Sequence, residues 1–102
     1  MTIEKLLDSL SGFDWDGGNG DKNKIKHKVE VKEAESVFFN RPLIVLDDKR
    51  HSQKEKRYIA FGKTNKNRVL IVAFTIRKNK IRIISIRDQN KKERRFYYET
   101  KN

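Results

Sequence analysis

The chain has no cysteine, one proline, one tryptophan and two histidines in 102 residues. Without cysteine, neither a disulfide framework nor a zinc–thiolate site can form. His27 and His51 have no third ligand at metal spacing, so no metal and no cofactor are expected. No apolar run approaches the roughly 20 residues of a membrane-spanning helix. Met1–Leu10 lacks a basic stretch followed by an apolar one, so it does not read as a signal peptide, and a cytoplasmic protein is expected. Gly17-Gly-Asn-Gly20 is followed by neither Lys-Ser/Thr nor a long helix after a strand, which excludes a nucleotide phosphate loop.

Negative charge is scarce in the second half. Residues 1–48 carry 7 Lys and Arg against 10 Asp and Glu, a net of −3; residues 49–102 carry 18 against 4, a net of +14. Charged residues make up 38% of the chain and apolar ones 35%, a balance that raises the question of disorder. The clustered apolar strands argue against it, and the basic charges are threaded through them. Arg68 and Arg77 bracket one apolar run, Ile81–Arg87 is another, and Lys91-Lys-Glu-Arg-Arg95 follows. A folded surface of that sign attracts a polyanion, with nucleic acid the default partner.

Apolar residues at 3, 6, 7 and 10 give Thr2–Leu10 one helical face, capped by Thr2 and ended by Ser11-Gly12. Phe13–Asp16 reads as a short extended piece, and Asp21 caps a short helix reaching His27. Lys32–Asn40 is a better helix, with Ala34, Val37 and Phe38 on one face, stopped by Arg41-Pro42. Four strands follow: Leu43–Leu46, Arg57–Lys63, Arg68–Arg77 and Ile81–Arg87, with turns at Thr64–Asn67 and Lys78–Lys80. Alternation places Arg57, Ile59 and Phe61 on one face of the second strand. Continued along the last strand, it groups Ile81, Ile83, Ser85 and Arg87, and sets Arg82 on the other side. Asp88 caps a final helix over about 89–99. The expected fold is therefore α+β: a small antiparallel sheet of three to four strands, with N-terminal helices and a C-terminal helix. Residues 1–12 form an N-terminal extension, and 13–102 a single domain.

Arginines at strand ends converge on one rim, where paired N–H donors suit phosphate. The same residues also read as edge charges that keep the sheet soluble. Phe96 reads as core packing at the end of the last helix; Tyr97 and Tyr98 suit either core or base stacking. Asp47-Asp48 reads as a solvated turn. His51 and Glu55 lie four residues apart in a basic loop, where imidazole and carboxylate suit proton transfer; composition alone favours an exposed loop without a role.

A longer series of short motifs runs through the chain in register. It includes Phe13-Asp-Trp-Asp16, Asp21-Lys-Asn23, Lys26-His27, Glu33-Ala34, Val37-Phe-Phe39, Asp47-Asp48, His51-Ser52 and Glu55-Lys-Arg57. It continues through Gly62, Arg68, Phe74-Thr-Ile-Arg77, Ile81-Arg-Ile-Ile-Ser85, Arg87 and Lys92-Glu-Arg94. Together these resemble the BrnT family of toxins from bacterial type II toxin–antitoxin modules, over about residues 13–99. Lys28 departs from the family's usual glycine after Lys-His, and Ile86 from its usual alanine between Ser85 and Arg87. The resemblance implies an RNA-cleaving toxin of RelE-like fold that blocks translation. It also implies a BrnA-like ribbon-helix-helix antitoxin, and promoter DNA bound by the toxin–antitoxin complex; no membrane partner is expected.

On that basis Arg77 and Arg87 are the candidates for stabilising negative charge on the phosphate, and His51 and Glu55 for acid–base work. Arg57, Arg68 and Arg82 would add phosphate contacts. Lys49, Arg50, Lys91, Lys92, Arg94 and Arg95 would position the RNA backbone. The competing readings are a non-catalytic nucleic-acid-binding module and a protein whose basic face only docks an acidic partner.

Overall fold

The computed structural model describes residues 3–15, 28–51 and 54–100. The Thr2 cap, the Gly17–Gly20 break and the helix expected from Asp21 to His27 lie outside the described residues. Four strands form one antiparallel sheet in the order β1-β2-β3-β4, a simple meander: β1 Ile44–Asp47, β2 Arg57–Lys63, β3 Val69–Arg77 and β4 Lys80–Asp88. Helices α1 (Ile3–Asp8), α2 (Val31–Ser36) and α3 (Lys91–Glu99) complete the α+β fold. Among the described residues no helix is long and apolar enough to cross a membrane.

The turns follow from local chemistry. Thr64 is buried, and its hydroxyl accepts hydrogen bonds from the Lys66 and Arg68 amides, with Asn67 at positive φ. Lys78 and Asn79 both have positive φ, the backbone of a tight hairpin whose twist matches its strands. The helix expected over Lys32–Asn40 tightens after Ser36 into a 3-10 turn, Val37–Phe39. The Ser36 hydroxyl donates to the Glu33 carbonyl and accepts from the Asn65 amide, tying this turn to the β2–β3 loop. The Arg41–Pro42 bond that follows is cis.

One face of the sheet holds the core. Ala60, Leu70, Val72, Phe74, Ile81, Ile83 and Ile86 pack there against Val29, Ala34, Val37 and Phe38. Four aromatic rings run through it: Phe13 to Phe38 at 5.7 Å, Phe38 to Phe74 at 5.1 Å, and Phe74 to Tyr58 at 5.3 Å between centroids. Leu7 and Leu10 of the N-terminal segment pack against the same cluster.

Gly62 lies on this core face. A Cβ there would sit 2.5 Å from Val37 Cγ1 and 3.4 Å from both Leu43 Cδ1 and the Val37 carbonyl oxygen. Val37 is fully buried and β-branched, so it has nowhere to turn. Gly62→Ala is therefore expected to destabilise the fold by about 1–3 kcal/mol. Thermal melting checks this, and a melting point equal to the wild type would contradict it.

The alternation along β4 differs from the sequence expectation. Ala73 pairs with Ser85, but Phe74 pairs with Ile83, leaving Ile84 as an extra residue at a bulge. A single extra residue reverses the alternation beyond it. Ile81, Ile83 and Ile86 thus share the core face. Arg82, opposite Thr75, and Arg87, opposite Ile71, share the other face with Ser85. Arg82 and Arg87 are not separated by the sheet, as uninterrupted alternation would have it.

Two further expectations are corrected at the C-terminal helix. Its cap is Asn90, not Asp88. The Asn90 side chain accepts from the Glu93 amide and Glu93 accepts from the Asn90 amide, both at 2.8 Å, a reciprocal capping box. Asp88 instead pairs with Arg68. The buried aromatic of α3 is Tyr97, whose hydroxyl donates to the Pro42 carbonyl, while Phe96 is 43% exposed. Phe96 still packs edge-on against Phe61, at 5.1 Å.

Candidate nucleic-acid interface and active site

The second face of the sheet is divided. On its Phe61 side, α3 lays Phe96 against β2, and Ile71 is buried. The other half is open and carries the arginines. Arg57 on β2 and Arg82 on β4 both pair in register with Thr75 at the centre of β3. Arg77 follows two residues after Thr75 on the same face. Thr75 is buried between them, and its hydroxyl donates to the Lys56 carbonyl at 2.7 Å. Three arginines thus flank one buried threonine on this face.

Glu55, at the entry to β2, closes this group. Arg77 Nε and one terminal nitrogen donate to its two carboxylate oxygens at 3.0 and 2.8 Å, a fork-to-fork pair. The Arg77 hydrogen bonds hold the Glu55 carboxyl below the usual carboxylate range. Partial desolvation opposes this, and the charges of Arg77, Arg57 and Arg82 add to the lowering. Glu55 thus lies within the field of all three arginines and is hydrogen-bonded to Arg77.

Arg87 lies on the same face at the other end of β4. Its partner Ile71 is four residues from Thr75 along β3, roughly 13 Å at strand spacing. Both its terminal nitrogens donate to Glu93, at 2.7 and 2.8 Å. Glu93 thereby joins the β4 arginine to the cap of α3. Arg68 is placed elsewhere: it is bidentate to Asp88 at 2.7 and 2.8 Å and donates to the Lys28 carbonyl. Lys49, Arg50 and His51 form a 3-10 turn ahead of Glu55, with Lys49 and Arg50 exposed. The His51 side chain lies outside the described residues. Lys91, Lys92, Arg94 and Arg95 stand exposed on α3, and Arg94 donates to the Gln89 carbonyl at 2.8 Å.

The sequence-based candidates Glu55, Arg57, Arg77 and Arg82 are therefore brought together, with Arg87 along the same face and Arg68 apart. Sequence reading missed Asp14, whose carboxylate lies 3.6 Å from Arg82, and Thr75 beneath the cluster. Among the described residues no three His, Asp or Glu side chains gather to hold a metal ion. The open apolar pocket of about 490 Å³ beside Leu7, Phe13, Phe39 and Val45 includes none of these arginines in its lining.

Fold and face together define a small basic α+β protein with arginines gathered on one face of its sheet. A family model described as the ribonuclease toxin BrnT of type II toxin–antitoxin systems matches residues 15–93. The chain belongs to that family, and so is a ribonuclease toxin with an antitoxin partner. A search of curated proteins finds no match.

Proposed function

We propose that this chain is an endoribonuclease that works without a metal, blocks translation by cutting RNA, and is neutralised by a BrnA-like ribbon-helix-helix antitoxin. In this reading the toxin–antitoxin complex binds promoter DNA. The observation that carries the catalytic part is the group of Arg57, Arg77 and Arg82 around Glu55 on an open sheet face. In the proposed reaction the ribose 2′ oxygen attacks the adjacent phosphorus and the 5′ oxygen leaves. The 2′ proton goes to a base and the leaving oxygen takes a proton from an acid. The products are a 2′,3′-cyclic phosphate and a 5′-hydroxyl. Fixed guanidinium groups stabilise the extra negative charge of the phosphorane without reorganising.

The incoming phosphate competes with Glu55 for Arg77. Once displaced, the carboxylate regains basicity beside the substrate and takes the 2′ proton. His51, four residues earlier on a turn, is assigned to the leaving oxygen. Arg87 holds a neighbouring phosphate, and Lys49, Arg50, Lys91, Lys92, Arg94 and Arg95 guide the strand as non-specific backbone contacts. Arg68, neutralised by its two-pronged pair with Asp88, takes no part in holding the phosphate.

The test is a digest of a defined RNA at low salt with EDTA present, followed by end-group analysis. Cyclic phosphate termini are expected; intact RNA that is bound in a salt-dependent way would sink the enzymatic reading. The pH dependence separates the two acid–base groups. Because Glu55 has its folded value lowered, its ionised pair with Arg77 is complete above the ordinary carboxylate range and is lost only as pH falls below it. Glu55 therefore stays charged from pH 5 to 8. Any change of kcat/KM, which reports the groups of the free protein, across that window belongs to a group titrating near the ordinary imidazole value of about 6.5. His51→Gln is expected to flatten the rate profile between pH 5 and 8. An unchanged profile removes His51 as the proton donor.

A further inference from the structure

The family match begins at Trp15, yet the residues just before it are built into the sheet. The Ile81 amide donates to the Gly12 carbonyl at 2.9 Å, and the Asp14 amide donates to the Ile81 carbonyl at 2.8 Å. Phe13 forms a parallel bridge with Ile81. The Ser11 amide donates to the Asn79 carbonyl at 2.8 Å, and the Asn79 side chain donates to the Ser9 carbonyl at 3.2 Å. On the other side Trp15 Nε1 donates to Glu35 at 2.9 Å. Residues 11–14 thus run beside the start of β4 through a single parallel bridge, with hydrogen bonds on either side of it.

Strand alternation then fixes where their side chains go. Phe13 packs against the margin of the core, beside the buried Phe38 and the exposed Phe39. Asp14 falls on the arginine face, its carboxylate 3.6 Å from an Arg82 terminal nitrogen. Both backbone hydrogen-bonding groups of Ile81, the residue before Arg82, are engaged by this segment. The segment therefore holds the backbone just ahead of Arg82 and sets a carboxylate beside its guanidinium. The Asp14–Arg82 contact is also longer than the 2.7–2.8 Å pairs made by Arg77 and Arg87. That length is a charge contact rather than a short hydrogen bond.

We propose that Asp14 is a positioning residue of the RNA-cleaving face: it aims Arg82 at the substrate phosphate and its own charge limits how tightly that phosphate is held. The proposal rests on the ribonuclease reading above. Its signature is a split between binding and rate. Asp14→Asn removes a negative charge near the phosphate, so KM is expected to fall by about threefold. It also removes the carboxylate that faces the Arg82 guanidinium, so kcat is expected to fall by about tenfold. The melting point should hold, because a half-exposed ion pair of this length contributes little to stability. Asp14→Glu, which keeps the charge, should recover most of the rate.

The experiment measures kcat and KM of the full chain for wild type, Asp14→Asn, Asp14→Glu, Arg82→Gln and the double variant. If Asp14 acts through Arg82, Asp14→Asn should change neither constant by more than about twofold in the Arg82→Gln background. Equal losses in both backgrounds, or kinetics unchanged by Asp14→Asn, would overturn the proposal. Should the wild-type chain cut no RNA, the ribonuclease reading fails by itself. Asp14 is then tested by binding of a 2′-O-methyl oligoribonucleotide. A roughly threefold tightening in Asp14→Asn that disappears with Arg82→Gln supports the positioning role, and equal affinity overturns it.

Discussion

Arg77→Ala is expected to slow RNA cleavage by about a hundredfold to a thousandfold while leaving the protein folded. The size follows from the position of Arg77. It is one of three arginines that flank Thr75 on this face, and the one that grips Glu55 with two hydrogen bonds. Removing a preorganised donor from the site of developing charge typically costs that much. The loss of fold should be small, since the side chains of Arg77 and Glu55 are 49% and 31% exposed and exposed pairs contribute little to stability. Arg77→Lys should recover little, because a point charge cannot reproduce the planar fork. Arg87→Ala should do less, about tenfold and mainly in KM, because Arg87 lies farther along the face and holds a neighbouring phosphate. Steady-state cleavage of one RNA by purified variants of equal melting point decides the matter. Wild-type turnover by Arg77→Ala would remove this residue from the mechanism.

That Arg57 and Arg77 lie on one side of the sheet is legible in the sequence. Both strands alternate without interruption, and a short turn cluster fixes their antiparallel pairing. The position of Arg87 relative to Arg82 is not legible, because the bulge at Ile84 changes the phase of β4 and no local residue type announces it. The cap of α3 is legible in principle, since Asn90 and Glu93 have capping-box spacing, but Asp88 competes as an equally good cap by residue type. What decides it is distant: Arg68 takes Asp88. Asp14 is hidden for the same reason. Phe13 and Asp14 read locally as one apolar and one acidic residue, and only their parallel pairing with Ile81 sends one to the core and the other to Arg82. Local periodicity thus shows the strands and their charge, while the contacts that assemble the face depend on nonlocal pairing.

The largest effect on stability is expected at Phe74, directly behind that face. Phe74 is fully buried, edge-on to Phe38 at 5.1 Å and stacked on Tyr58 at 5.3 Å. It pairs with Tyr58 on β2 and Ile83 on β4, so these three residues form the row of the sheet beside Arg57, Thr75 and Arg82. The core row sets the spacing and tilt of the arginine row through a shared backbone. Phe74→Ala removes a ring from a closely packed site and is expected to cost about 3–5 kcal/mol. A domain of this size holds only about 5–15 kcal/mol in total. The melting point should therefore drop by about 15–30 °C, and growth arrest should weaken because less toxin is folded. Phe74→Leu keeps most of the volume and should cost less than about 1.5 kcal/mol. Its melting should stay cooperative, while cleavage slows modestly as the arginine row loses its backing. Denaturant unfolding of both variants checks the first part, and kcat of Phe74→Leu the second. A Phe74→Ala protein as stable as the wild type would mean that the aromatic row does not anchor the sheet.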